Sequence, residues 1–306
     1  MRFKLIMKYI SLLIFAILCL LCLSCEKSDN KSQQQYFLQD DLGNEFIFER
    51  VPEKIISTAP NLTEILFKLE LNEKIIGVTS QCDFPAEAKS KEIIGDMLSL
   101  NFEKIVNLQP DLLFITVEGN TKEAYNKLID LGIKVFVSNP RDLAGIDKTI
   151  SDFGKIFNIE KIADSVINDF QSRKEKIKQE LASIKKTSMF VVSLSPLILA
   201  GKNTFINEIL IECGLKNIAE NSIVPYPVFS REEVLNKNPE FILIPNDLVR
   251  VNEQILEYYP EWNNLDALKA KRILLLQPDI FMRPGPRYIY AMENLHERIK
   301  FFNQTE

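Results

Sequence analysis

Two Rossmann-like α/β lobes joined by one long α-helix, with a ligand cleft between them, are the fold this sequence predicts. Three observations predict it. Short apolar runs suited to buried strands alternate with amphipathic helices over most of the 306 residues. One stretch breaks the alternation: from about 159 to 186, Ile162, Val166, Phe170, Ile177, Leu181 and Ile184 recur at helical spacing with no Pro or Gly. One segment also occurs twice, as EKIVNLQPDLLFI at 103–115 and EEVLNKNPEFILI at 232–244. Glu103 matches Glu232, Asn107 matches Asn236, Pro110 matches Pro239 and Asp111 matches Glu240, all offset by 129 residues. A solenoid would repeat every ~20–50 residues, so this spacing points to two similar lobes instead.

In chain order, Arg2, Lys4 and Lys8 precede an apolar stretch from Tyr9 to Leu23, short for a membrane span of roughly 20 apolar residues. It ends in Leu21-Cys22-Leu23-Ser24-Cys25 and resembles the lipobox of a bacterial lipoprotein, with Cys22 where a Leu is usual. Residues 1–25 then read as a signal peptide whose Cys25 becomes lipidated, and 26–35 as a polar tether. Residues 36–157 read as the first lobe. A hairpin turns at 40–44, strands follow at 54–57, 75–78, 111–115 and 134–137, and helices at 62–69, 102–108 and 122–131. Asn61 or Thr63 is placed to cap the first helix and Gly132 to end the third. Residues 158–186 read as the connecting helix, roughly 40 Å long. Residues 187–306 read as the second lobe, with strands near 189–194, 241–244 and 273–276 and helices at 205–213, 232–236 and 288–302.

Loss of the three leader cations takes the formal charge from −5 to about −8, and no basic stretch carries interleaved aromatics, so nucleic acid is not the expected partner. Cys82 and Cys213 fall in opposite lobes and read as free thiols. No Gly-x-Ser-x-Gly elbow, P-loop or Gly-x-Gly-x-x-Gly occurs, and the one histidine, His296, lies on the last helix, away from any predicted cleft loop. The chain reads as a non-enzyme. A carboxylate hydrolase would need two acids about 5–10 Å apart across the cleft, for which Asp83 and Asp279 are the available pair. An adhesin-like lipoprotein is the other alternative, and a filled cleft would favour it. Trp262 reads as packed against the helix that follows it.

With its motifs in order, the mature chain resembles the helical-backbone class of periplasmic binding proteins that serve ABC importers of cobalamin, siderophores and haem. The resemblance rests on DDLGNEFIFERVPEKIISTAPNLTEILFKLELNEKIIGVT at 40–79, Cys82-Asp83-Phe84-Pro85, LILAGK at 197–202, PYPVFSRE at 225–232 and DIFMRPGPR at 279–287. The cobalamin-binding branch is the most similar. The resemblance implies a monomeric lipoprotein on the extracytoplasmic side of a membrane, which passes a corrinoid to an ABC permease and its ATPase without a cofactor of its own. It implies ligand contacts from Gln81, Cys82, Asp83, Phe84 and Met97 in the first lobe, and from Leu197, Ile198, Tyr226, Asp279 and Arg283 in the second. It also implies that Glu103 and Glu232 dock on permease arginines. Gln81, Met97, Thr116, Val192 and Ile198 stand where cobalamin binders often carry aromatics, which keeps a ferric siderophore or haem open as the ligand.

Overall fold

The computed structural model describes residues 36–251 and 254–304, so the expected signal peptide, Cys25 and tether lie outside the described residues. The chain opens with a hairpin of β1 (Tyr36–Gln39) and β2 (Glu45–Phe48). Asp40 Oδ1 makes the turn by accepting the Leu42 and Asn44 N–H groups at 2.9 and 2.8 Å. There follow β3 (Ile55–Ser57), α1 (Pro60–Lys68), β4 (Ile75–Val78), α2 (Phe102–Leu108), β5 (Leu112–Ile115), α3 (Lys122–Asp130) and β6 (Val135–Val137). The four strands from β3 onward form one parallel sheet in the order β4-β3-β5-β6. Helices cover both faces, and so the strands read as continuous apolar runs.

Pro60 starts α1 at its first position, where a fixed φ and a missing N–H do no harm. Neither Asn61 nor Thr63 caps it, against expectation. Thr63 Oγ1 donates inward to Ser57 Oγ, and Asn61 Nδ2 reaches Pro284 O in the other lobe at 3.2 Å. Gly132 takes φ +74° just past α3, as a helix-ending glycine does.

Next come α4 (Leu143–Ile156) and α5 (Glu160–Glu180). The expected connector is there but ends at Glu180, after 21 residues or about 31 Å. Leu181, 2 % exposed, and Ile184 pack into the core from the turn that leads to the next strand. Their spacing therefore reports the packing of that turn and not a longer helix.

The second lobe runs through β7 (Lys186–Leu194), β8 (Leu197–Leu199), α6 (Phe205–Glu212), β9 (Leu215–Asn217), α7 (Arg231–Lys237), β10 (Phe241–Pro245), α8 (Ile255–Tyr258), α9 (Asp266–Lys269), β11 (Ile273–Leu276), α10 (Pro278–Met282) and α11 (Tyr288–Gln304). Its parallel strands stand in the order β9-β7-β10-β11, which repeats β4-β3-β5-β6 of the first lobe. The short β8 adds antiparallel to β7. Phe114, Phe153, Phe170, Phe190 and Tyr288 belong to one apolar core that runs through both lobes by way of α4, α5 and α11. Trp262 is fully buried against Tyr259 at 4.1 Å between ring centres, in a separate core of the second lobe. Among the described residues no helix is long and apolar enough to cross a membrane.

The repeat has a physical basis in each lobe. Both α2 and α7 are seven residues long, and a left-handed residue ends each, Gln109 (φ 52°) and Asn238 (φ 41°). The acid after the proline then ties the helix to the first strand of its sheet. Asp111 accepts the Glu53 and Lys54 N–H groups at 2.9 and 3.0 Å, and Glu240 accepts the Thr187 N–H at 2.9 Å. The Glu53 N–H, aided by the Lys54 N–H and Arg50, holds the Asp111 carboxyl below its ordinary pKa. A depressed pKa means stability that is present above the unfolded-state value, about 3.9, and lost as pH falls through the folded value. Asp111→Ala should therefore lose about 1–3 kcal/mol at pH 7. In denaturant melts its deficit should shrink below about pH 4, and a deficit independent of pH would contradict this account.

Candidate functional site: the cleft between the lobes

In the first sheet the order 2-1-3-4 by chain sequence switches direction between β3 and β5, and ligands of open α/β sheets collect beyond the strand ends at such a point. The loops after these strands do line a cleft. One cavity of about 360 Å³ is walled by Pro60, Asn61, Gln81, Met97, Thr116 and Glu118 of the first lobe and by Met282, Arg283 and Pro284 of the second. It adjoins a second cavity of about 600 Å³, which shares Glu118, Pro140, Met282 and Pro284 and adds Arg141, Asn203, Glu208 and Tyr226.

The first-lobe wall is set by hydrogen bonds. Asn120 donates to Met97 O at 2.7 Å and accepts from Thr58 Oγ1 at 2.8 Å, joining the loops after β3, β4 and β5. Gln81 Oε1 accepts the Met97 N–H at 3.2 Å. Gly119 lies beneath the Met97 methyl, where an added Cβ would sit 2.0 Å from Cε. In the second lobe, residues 225–229 lie against β8: Leu199 N–H donates to Pro227 O, Phe229 N–H to Leu197 O and Gly201 N–H to Pro225 O. This pairing turns Tyr226 out into the cleft, 47 % exposed. Burial, with the charge of Glu118, pushes its phenol pKa up.

The lobes meet on a clasp between the cleft and the hollow behind it. Arg287 gives Glu64 two hydrogen bonds of 2.8 and 2.6 Å, and Glu64 is almost wholly buried. Arg283 bonds Asp83 at 2.7 Å and Asp279 at 2.8 Å and lies 3.5 Å from Glu64. Near the connecting helix, Glu208 accepts the Leu143 N–H at 2.8 Å and so caps α4 from the opposite lobe. Burial and the charges of Asp142 and Glu212 raise its carboxyl pKa.

Of the ligand residues expected from sequence, Gln81, Met97, Tyr226 and Arg283 line the cleft. Others do not. Cys82 is 2 % exposed, with its sulfur 3.1 and 3.3 Å from the Thr63 and Thr79 hydroxyls, so it packs behind the wall. Leu197 is likewise core, 5 % exposed, because inward and outward positions alternate along β8. Its neighbour Ile198 pairs with Val228 and lines neither cavity. Phe84 faces a rear hollow of about 410 Å³, with the Arg287 guanidinium 4.2 Å from its ring centre. Asp83 and Asp279 are both ion-paired to Arg283, so they form no free acid pair for hydrolysis. Glu118, Arg141 and Asn203 line the cleft although sequence reading passed over them. Glu118 and Arg141 lie three and four residues past the ends of β5 and β6, and that position was the signal available.

Glu103 and Glu232 lie outside the cleft. Each is the second residue of its helix, behind an Asn101 or Ser230 cap, and each is exposed. Neither carboxylate has an ion pair or hydrogen bond among the described residues. Neighbouring charges are engaged, Lys104 by Glu92 and Arg231 by Glu261.

Two like lobes around an open cleft define a solute-binding protein. The chain belongs to the periplasmic binding protein family, whose model it matches over residues 55–280. It is 31% identical over 287 residues to an uncharacterized ABC transporter substrate-binding lipoprotein of Bacillus subtilis, covering 90% of each chain. It superposes on the periplasmic vitamin B12 binding protein of Vibrio cholerae with TM-score 0.72 and 28% identity, over 83% of this chain and 98% of that one. A possible iron-binding (periplasmic solute-binding) protein of Staphylococcus epidermidis matches with TM-score 0.74 and 25% identity, over 82% and 99%. The chain is thus an extracytoplasmic substrate-binding protein of an ABC transporter, which binds a ligand for a permease and serves transport, not catalysis.

Proposed function

We propose that this protein captures a corrinoid, cobalamin foremost, in the interlobe cleft and delivers it to an ABC permease driven by its ATPase. Cys25 anchors it by lipid, and Glu103 and Glu232 seat one lobe each on the permease. The observation that carries the corrinoid reading is the charge balance of the cleft. Its acids, Glu118, Asp142 and Glu208, outnumber its cations, Arg141 and Arg283, and carboxylates already hold Arg283. A polyanionic iron chelate or the two propionates of haem would meet like charge there. A corrin has a flat apolar face and a fringe of neutral amides. It suits an apolar floor of Pro60, Met97, Pro140, Met282 and Pro284 with donors and acceptors around the rim. Similarity to the Vibrio cholerae vitamin B12 binding protein supports the same reading.

A ferric siderophore or haem is the second reading. It is favoured by the scarcity of aromatic wall, where Tyr226 offers a phenol and Gln81, Met97 and Thr116 offer no ring. Calorimetric titration of the full chain in detergent with cyanocobalamin decides between them. One-site binding in the nanomolar to low micromolar range is expected, and Tyr226→Ala should weaken it about tenfold through loss of ring contact. No heat with cyanocobalamin, and heat with haemin or a ferric siderophore, would replace the first reading by the second.

A further inference from the structure

We infer that Glu118 and Arg141 together form the carboxamide-reading element of the cleft, and that this pair sets the preference for an amide-fringed ligand over its carboxylate counterpart. The inference rests on the corrinoid reading and names the residues that enforce it.

The three charged side chains singled out as ligand contacts by sequence motif, Asp83, Asp279 and Arg283, pair with one another, Arg283 bonding Asp279 at 2.8 Å and Asp83 at 2.7 Å. Their hydrogen-bonding capacity goes into the clasp. The Glu118–Arg141 pair differs. Arg141 Nε stands 3.4 Å from Glu118 Oε1, and the side chains are 62 % and 54 % exposed. Neither makes another ion pair or hydrogen bond among the described residues. A guanidinium has five N–H donors and a carboxylate about four acceptor sites, so one loose contact leaves most of both unused. An exposed pair of this kind adds almost nothing to folding stability, so stability does not account for its place in the cleft.

Position gives the pair its use. Both residues line the larger cavity, and Glu118 also lines the smaller one, so it stands where the two cavities join. Tyr226 of the facing lobe lines the same larger cavity. A ligand that lies on Tyr226 therefore presents its edge to Glu118 and Arg141. A primary carboxamide has one acceptor oxygen and an NH₂ donor on the same carbon. Arg141 donates to the oxygen, Glu118 accepts from the NH₂, and both bonds are charge-assisted. A carboxylate in the same place satisfies Arg141 but sets a second anion against Glu118.

The test uses cyanocobalamin and its three monocarboxylic acids, in each of which one corrin propionamide is hydrolysed, titrated into the full chain in detergent. The wild type should bind at least one acid about tenfold more weakly than cyanocobalamin. Glu118→Ala should bind that acid and cyanocobalamin alike, and Arg141→Ala should weaken both while the ranking persists. Thermal melts of both variants should match the wild type, since a structural role would lower them. Equal binding of all four ligands by the wild type, or a preference that survives in Glu118→Ala, overturns the inference and leaves the corrinoid reading standing. No binding of any of the four overturns both.

Discussion

A chain that carries Glu103→Ala and Glu232→Ala together is expected to bind its ligand with unchanged affinity and to support little or no import. The two carboxylates are exposed, unpaired among the described residues, and set in the first turns of α2 and α7, where the helix field favours a negative charge. Neither lines the cleft cavities. Removal of solvated surface charge leaves folding within about 0.5 kcal/mol. The proposed docking role gives such acids a partner to act on. Two fixed points, one per lobe, orient a bilobed protein on a permease, and loss of complementary charge at both lowers the rate and register of docking. Uptake into proteoliposomes that hold the permease should fall by more than about tenfold in the double variant and partially in each single one, every tenfold being 1.4 kcal/mol. Glu103→Asp with Glu232→Asp should retain more than the alanines. Weaker ligand binding in the double alanine variant would assign the acids to the pocket and contradict the docking role.

The second large effect is on stability. Glu64→Ala is expected to cost about 3–5 kcal/mol, because it strips Arg287 of its partner in a buried place. That is a large part of the roughly 5–15 kcal/mol that holds a typical domain together. Burial keeps the Glu64 carboxyl above its ordinary pKa range even with Arg287 and Arg283 beside it, a measure of the desolvation the pair carries. Replacement of both partners, Glu64→Met with Arg287→Met, removes that desolvation and should recover most of the loss. Urea unfolding at pH 7 checks both variants. A single alanine that melts like the wild type would show that the clasp does not join the lobes. An intact clasp also limits how far the lobes part, since Asn61 Nδ2 bonds Pro284 O and a Cβ added at Gly285 would stand only 3.3 Å from Asn61.

Local chemistry was legible in the chain itself. Buried strands need apolar runs, helices need apolar faces, and turns need residues such as Asp40 and Gly132, so the class of fold and most of its elements follow from patterns a few residues long. The doubled segment declared two like lobes because Asp111 and Glu240 meet the same local need, an acceptor for N–H groups at the start of the first strand. What each cleft candidate does was not local. Cys82 and Leu197 sit one residue from exposed positions; the turn after β4, closed by Cys82 N–H on Thr79 O, carries the first inward and the pleat of β8 carries the second. Arg283 lines the cleft as its motif suggests, but only the fold brings Asp83, 200 residues earlier in the chain, to its guanidinium. Glu118 and Arg141 carry no motif; strands β5 and β6 end side by side and so set them in one cavity with Tyr226 of the other lobe. Sequence by itself determined which elements form and that they form twice. Tertiary structure decided which polar groups satisfy one another and which are left for a ligand, because that depends on contacts between residues far apart in the chain.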